Sequence, residues 1–342
     1  MKQITIILLV GVFLMSCENP IQMETKVYEN GALDKTITFE KVDSLRLTQN
    51  IFGIGEATGW VVVTDTINSD EKDVKFKIEF KKSFSSAEEV NSELDTKADT
   101  LFHVHSSFEK SFRWFYTYIR YSETFRPIDR LKMLRADDYF NIEDRTFINR
   151  LPGEGTAISK ADSFYLDQLN EKIFKHYANW GIYSEQMNIL KEVLQKNAID
   201  KKWYDSLEAH KDMIYESLDD MRGDPFFANK MADSLQIPLP STAKNDFEVL
   251  SKDINSRVSF MSFARDGRYT NIIDMPWEVV NTNADSIAGN KLYWKPLATK
   301  FAIQEYEMFA ESRKLNWWAI IVSVVILSLT TISFIKRRSY QS

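Results

Sequence analysis

The clearest hydrophobic pattern covers residues 74–81, where Val74, Phe76, Ile78 and Phe80 alternate with Lys75, Lys77, Glu79 and Lys81. A period of two with one polar face predicts a half-buried antiparallel strand. Strand signals precede it over 36–47 and over 59–66, which holds the run Trp60-Val61-Val62-Val63. Ser85 and Ser86, followed by Glu88 and Glu89, predict a capped helix ending near Ala98. A long β stretch then carries Phe102, Val104 and Phe108, and after them Phe112, Trp114, Tyr116 and Tyr118 at alternate positions, until Arg126-Pro127 ends it.

From 128 to 262 the period becomes helical. Leu166, Leu169, Ile173, Tyr177 and Trp180 recur at spacings of three and four, as do Trp203, Leu207, His210, Ile214, Leu218 and Met221. Asp200 is a candidate N-cap for the second stripe. Gly181, Gly223-Asp224-Pro225 and Pro238-Leu239-Pro240 punctuate the region into several helices. Strand signals return over 269–281 and 292–297, with turn residues over 281–286 and at Gly289-Asn290. Residues 299–314 fit either a strand or a helix.

Strands, then helices, then strands predict an α+β domain. Its antiparallel sheet is built from N- and C-terminal segments, with a helical insertion between them. The β-rich part covers 35–127, the insertion 128–262, and 263–314 supplies the strands that complete the sheet. Two sequential domains are the alternative, but two C-terminal strands alone would be marginal.

The two ends read differently. Residues 1–16 combine Lys2 with an apolar stretch from Ile4 to Met15, too short to span a bilayer and laid out as a secretory signal. Leu14-Met15-Ser16-Cys17 closes it and resembles the lipobox of bacterial lipoproteins. That resemblance implies diacylglycerol and an acyl chain (palmitate) on Cys17, the new N-terminus after cleavage. A simple cleaved signal with an incidental cysteine is the plainer alternative. Residues 17–34, polar with Pro20 and Gly31, read as a lipidated linker.

At the other end, 315–336 reads as a transmembrane helix and 337–342 as a cytoplasmic tail. Trp317 and Trp318 stand where an interfacial aromatic belt belongs, and Lys336, Arg337 and Arg338 fit the positive-inside rule. The expected location is a bacterial inner membrane, crossed once, with the main domain periplasmic. With both anchors in that bilayer, the sheet is expected to lie low over it.

Composition narrows the function classes. Of 342 residues, 44% are hydrophobic and 13% aromatic, which excludes a disordered chain. Forty-nine acids are interleaved with 43 bases, and the net charge of −6 argues against nucleic acid as a partner. Cys17 is the single cysteine, so no intramolecular disulfide and no multi-cysteine metal site can form.

The stretch FEKSFRWFYTYIRYSETF at 108–125 and the tail over 271–313 resemble bacterial envelope lipoproteins with a C-terminal membrane helix. The tail is also similar to the end of the LppM-like lipoprotein domain. The matching features are Met275-Pro276, Asn283-Ala284, Gly289-Asn290 and Trp294, with Trp277 departing from a usual glycine. The resemblance implies an envelope domain with a lipid-binding fold and transfers no catalytic residue.

Little in the sequence carries chemistry. It has no phosphate-binding glycine loop, no GxSxG and no HExxH. His103 and His105 share one face of a predicted strand and are weak candidates for a metal, which would need an added carboxylate. A solvent-facing pair is the plainer reading. His210, in an apolar helical stripe, reads as a core histidine, and His176 has no discernible partner. Asp137-Asp138, Glu143-Asp144 and Asp219-Asp220 read as solvated helix ends. The aromatic run 112–121 fits sheet packing better than a ligand groove.

No catalytic residue, metal or dissociable cofactor is therefore expected. The leading expectation is a non-enzymatic envelope lipoprotein acting as a binding or assembly module, with membrane lipids and an envelope protein as partners. A lipid-handling domain is the alternative, and a hydrolytic enzyme without a recognisable motif comes third. An acyl-sized cavity at the sheet–helix interface would favour lipid; a filled core would favour a protein partner.

Overall fold

The structure, a computed structural model, describes residues 19–42, 52–68, 75–96, 102–218, 224, 227–241 and 243–339. The expected signal segment, Cys17 and Asp219-Asp220 lie outside the described residues.

The chain enters the fold at once. Strand β1 (Asn19–Val27) buries Ile21, Met23, Thr25 and Val27 on one face. Residues 17–34 were expected as a linker; instead 19–27 form an inner strand. The alternation was hidden by the polar Thr25 within it and by Pro20 at its start. A turn over 28–31 leads to β2 (Leu33–Val42), with Gly31 at φ 90° and its α-carbon facing the ring of Phe108. Strands β3 (Val61–Asn68) and β4 (Lys75–Phe84) follow, the second where the period of two predicts it. Helix α1 (Ala87–Leu94) is capped as expected. The Glu89 N–H donates to Ser86 Oγ at 3.4 Å, and the Ser85 N–H donates to the Glu89 carboxylate at 2.7 Å.

The β stretch over 102–125 is a hairpin, β5 (Val104–Arg113) and β6 (Tyr116–Phe125), turning at Trp114-Phe115. After the helical region come β7 (Gly267–Asp274), β8 (Glu278–Thr282), β9 (Ser286–Ala288), β10 (Lys291–Trp294) and β11 (Tyr306–Leu315). The expected strand over 269–281 is thus two strands. Pro276 lacks the N–H that a ladder needs, and the chain changes sheets around it.

Two sheets stand where one antiparallel sheet was expected. The first has the order β3-β4-β2-β1-β7-β10-β9, and the second β5-β6-β11-β8. Each mixes N- and C-terminal segments. Strands β1 and β7 run parallel, and the remaining pairings are antiparallel. A parallel pair needs a long crossover, and here the chain passes through β2–β6 and then the helical region before it returns as β7.

This region comprises α2 (Ala136–Tyr139), α3 (Ile142–Arg150), α4 (Lys160–Glu171), a π-helical turn (Lys172–Tyr177), α5 (Ala178–Lys196), α6 (Lys202–Ala209), α7 (Lys211–Ser217), α8 (Phe227–Ser234) and α9 (Ala243–Arg265). Gly181 lies inside α5 rather than ending a helix; the Leu131 side chain occupies the place of its missing Cβ. The stripe over 203–221 breaks at His210. There the imidazole is exposed, with Nδ1 2.7 Å from the Ser206 carbonyl, so it is not a core histidine. Two hydrophobic cores result. One joins sheets and nearby helices, including Phe102, Phe125, Tyr269 and Phe301. The other is helical, around Tyr183, Leu190, Leu194, Phe227 and Phe247.

Candidate membrane interface

Helix α10 (Trp317–Ser339) follows β11 after a single residue, Asn316. Within its segment Trp317–Arg337 an 18-residue window has mean hydropathy 2.4, and the segment is long and apolar enough to cross a membrane. Twenty-one residues at ~1.5 Å each measure about 32 Å, close to the thickness of bilayer hydrocarbon. Trp317 and Trp318 are exposed at its start, and Lys336 and Arg337 are exposed near its end.

Asn316 ties this helix to the β5–β6 hairpin. Its N–H donates to the Phe115 carbonyl at 2.8 Å, and its side-chain amide donates to the Trp114 carbonyl at 3.0 Å. Its side-chain oxygen accepts from Thr117 Oγ1 at 2.9 Å, while its carbonyl accepts the Ala319 N–H at 2.9 Å. Asn316 therefore satisfies hairpin and helix end together. Beyond it, Phe112 stacks on Trp318 at 5.8 Å and 8°, and Trp114 meets Trp318 edge-on at 5.6 Å. The Trp114 indole N–H donates to Ser323 Oγ at 2.9 Å.

Polar groups form a rim around this end. The Arg113 guanidinium lies over Tyr118 and that of Arg313 over Tyr116, at 4.9 and 4.8 Å. Lys110 and Lys314 flank the Trp277 ring, each at 5.6 Å. Glu29 accepts from the Trp277 indole at 2.6 Å and from Lys314 at 3.1 Å, and these two donors hold its carboxyl below the usual range.

Register gives the heights along the strands. Leu315 pairs with Tyr116 and Tyr306 with Phe125, nine steps that span about 30 Å. Phe125 packs against Tyr269, which pairs with Ile21 of β1. The start of β1 is thus at the far end from Trp317. The helical region leaves after Phe125 and returns at Gly267, so both its connections also open at that far end. The start of β1 and the start of α10 therefore stand at opposite ends of the strands.

Between the sheets sits a buried polar cluster that no motif announced. Lys35 Nζ lies 2.6 Å from Glu123 Oε1, with side-chain exposures of 1% and 0%. Thr25 Oγ1 donates to the same carboxylate at 2.5 Å, Tyr121 OH at 2.8 Å and Asn271 Nδ2 at 3.1 Å. Burial alone would raise the Glu123 pKa, but the Lys35 ammonium and the hydrogen bonds from Thr25 and Asn271 bring it below the usual value. Burial and the Glu123 charge push the Tyr121 hydroxyl well up. The sequence does carry a signal: Lys35 is in phase with buried Leu33, Ile37 and Phe39, and Glu123 with Ile119, Tyr121 and Phe125.

His103 and His105 do converge on one residue. His105 Nδ1 is 2.8 Å from the Asp95 carboxylate, and His103 Nδ1 is 2.6 Å from the Asp95 carbonyl. That carboxylate also takes Arg126 at 3.1 and 3.2 Å. Burial opposes its ionisation, yet Arg126 and His105 hold its pKa below the usual value. A guanidinium on the Asp95 carboxylate is adverse to a cation, and no group of three metal-ligating side chains occurs among the described residues.

No protein-family model and no curated protein matches the chain. Among solved structures, the NMR structure of the folded domain of LppM from Mycobacterium tuberculosis is similar, at 8% identity and a TM-score of 0.28. The match covers 90% of this chain and 95% of that one. A likeness this distant carries neither topology nor ligand across.

Proposed function

We propose that the chain is a non-enzymatic, membrane-anchored module of a bacterial cell envelope, and that its helical region docks another envelope protein. Helix α10 would cross the inner membrane, with Lys336, Arg337 and Arg338 on the cytoplasmic side and the sheets outside. Cys17 would carry the diacylglycerol and acyl chain.

The observation behind this reading is strand polarity. Strand β11 runs into α10, while both connections of the helical region open about 30 Å away. That region would be held out from the membrane, where a partner can reach it. Its surface offers a groove of about 410 Å³ lined by Tyr139, Trp180, Tyr215, His176, Asp212 and Glu216. Aromatic side chains with a polar edge are typical of protein interfaces. The space between the sheets is filled by rings and by the Lys35–Glu123 cluster, which favours a protein partner over an acyl chain.

Photo-crosslinking in cells tests it. A photoreactive residue at Tyr139 or Tyr215 should give one discrete, saturable protein adduct, and the same residue at Ile287 in β9 should give none. Stoichiometric phospholipid on the purified protein, with no adduct, would replace this reading with lipid handling. For topology, a C-terminal tag cleaved by protease from the periplasmic side would refute the orientation. Acyl labelling and signal processing that survive Cys17→Ala would refute lipidation.

A further inference from the structure

The hairpin tip is out of place for a domain surrounded by water. Phe112, at the end of β5, is 56% exposed, and Trp114 and Phe115 are each 45% exposed on a two-residue turn with no glycine, asparagine or aspartate. Tight hairpins in water favour those small polar residues, which adopt the required backbone and leave the tip hydrated. Here Trp114 and Phe115 take their place, and the rings of Phe112 and Trp114 face an apolar helix.

Depth follows from the helix. Ser323 is six residues past Trp317, about 9 Å further along the axis. The Trp114 indole reaches that depth and donates its N–H to the Ser323 hydroxyl. Ala319, in the first turn, is fully buried against the domain. Any bilayer that surrounds α10 from Trp317 onward therefore also surrounds the tip.

We propose that the tip of the β5–β6 hairpin is a second membrane-inserting element, which enters the interfacial layer of the same bilayer beside the first two turns of α10. The occupant of this apolar surface is lipid. Continuity with the helix supports it, as does ring chemistry, because tryptophan seats an apolar body and an N–H at the headgroup boundary. Charge fits as well. Arg113, next to Trp114, and Arg313, two residues before Leu315, are held over tyrosine rings at the height of lipid phosphates. A single helix leaves a domain free to swing, whereas a helix and a hairpin joined through Asn316 fix its posture. The strands then stand steeply on the membrane.

This inference rests on α10 spanning a membrane, so the experiment reads the two separately. The full chain is reconstituted in phosphatidylethanolamine–phosphatidylglycerol vesicles with a fluorescent amino acid at one position. Lipids brominated near the carbonyl end of the acyl chain serve as quenchers. The label at Phe115 should be quenched several-fold more than one at Ile142, which lies in the helical region and is 83% exposed. A label at Ile321 reports insertion of the helix. Quenching at 321 with none at 115 overturns the hairpin element and leaves the span intact; no quenching at 321 overturns both. The same label at Phe112 gives a second reading should a change at 115 disturb the turn.

Discussion

Replacing Lys35 by Met tests the polar cluster between the sheets. The change keeps most of the side-chain volume and removes only the ammonium. Glu123 would then sit at 0% exposure with Thr25, Tyr121 and Asn271 as donors and no balancing charge. Breaking a buried pair from one side costs about 3–5 kcal/mol. At roughly 2–4 °C per kcal/mol for a domain of this size, Tm should fall by about 6–20 °C. Lys35→Met/Glu123→Gln should recover at least half of the loss, because the amide oxygen still accepts from Thr25 and Tyr121, and the NH2 that replaces Oε2 can donate to the Asn271 side-chain oxygen once that amide turns over.

The pH dependence separates this cause from simple misfit. In the native protein the Glu123 pKa is depressed, so its contribution is present above the unfolded carboxyl value of ~4.3 and is lost as pH falls through the folded value. Without Lys35, burial dominates and the folded pKa rises above the unfolded one. The variant then becomes more stable as pH falls from neutral toward ~4.5, and its gap to the native protein narrows. Thermal unfolding in detergent, followed by near-ultraviolet circular dichroism across that range, measures both effects. A loss below about 1 kcal/mol, or a gap independent of pH, would refute the reasoning.

Three further outcomes are expected. Gly31→Ala should cost about 1–2 kcal/mol, because φ is 90° there and the new methyl meets the Phe108 ring at 3.1 Å; chemical denaturation checks it. Arg257→Met strands Glu185, which it holds at 2.5 and 3.0 Å in a buried pair between α9 and α5. Because the helical core is separate, hydrogen exchange should rise over 178–265 before it rises in either sheet, with a local loss of about 3–5 kcal/mol. His103→Ala/His105→Ala should leave the metal content of purified protein unchanged by elemental analysis, since Arg126 already occupies the Asp95 carboxylate.

Strong local periodicity made much of the fold legible. The alternation over 74–81 marks β4, Ser86 and Glu89 mark α1, and the strand–helix–strand order is realised in both sheets. What stayed hidden has physical causes. Strand β1 is masked because Thr25 occupies a buried position for the sake of Glu123, so a polar residue interrupts an apolar face. The hairpin at Trp114-Phe115 carries no turn residue, and Trp114 instead packs one side of its ring on α10. The split between β7 and β8, and hence the second sheet, depends on which ladders the chain joins, and side-chain period alone does not encode that. Trp317, Trp318, Lys336 and Arg337 were readable from hydropathy and charge; Trp114, the partner of Trp318, was not, because it lies 204 positions away in the chain.

The direction of β1 sets a limit on tethering. Its first residue, Asn19, is only two residues from Cys17, which at full extension reach about 7 Å. Leu315 lies about 30 Å away along the strands. Acyl chains on Cys17 could share a bilayer with α10 only if the strands lay within roughly 15° of its plane. With the strands steep, the same two attachments would grip separate lipid surfaces. The pair of sheets would then act as a spacer, its length set by the number of residues in β6 and β11.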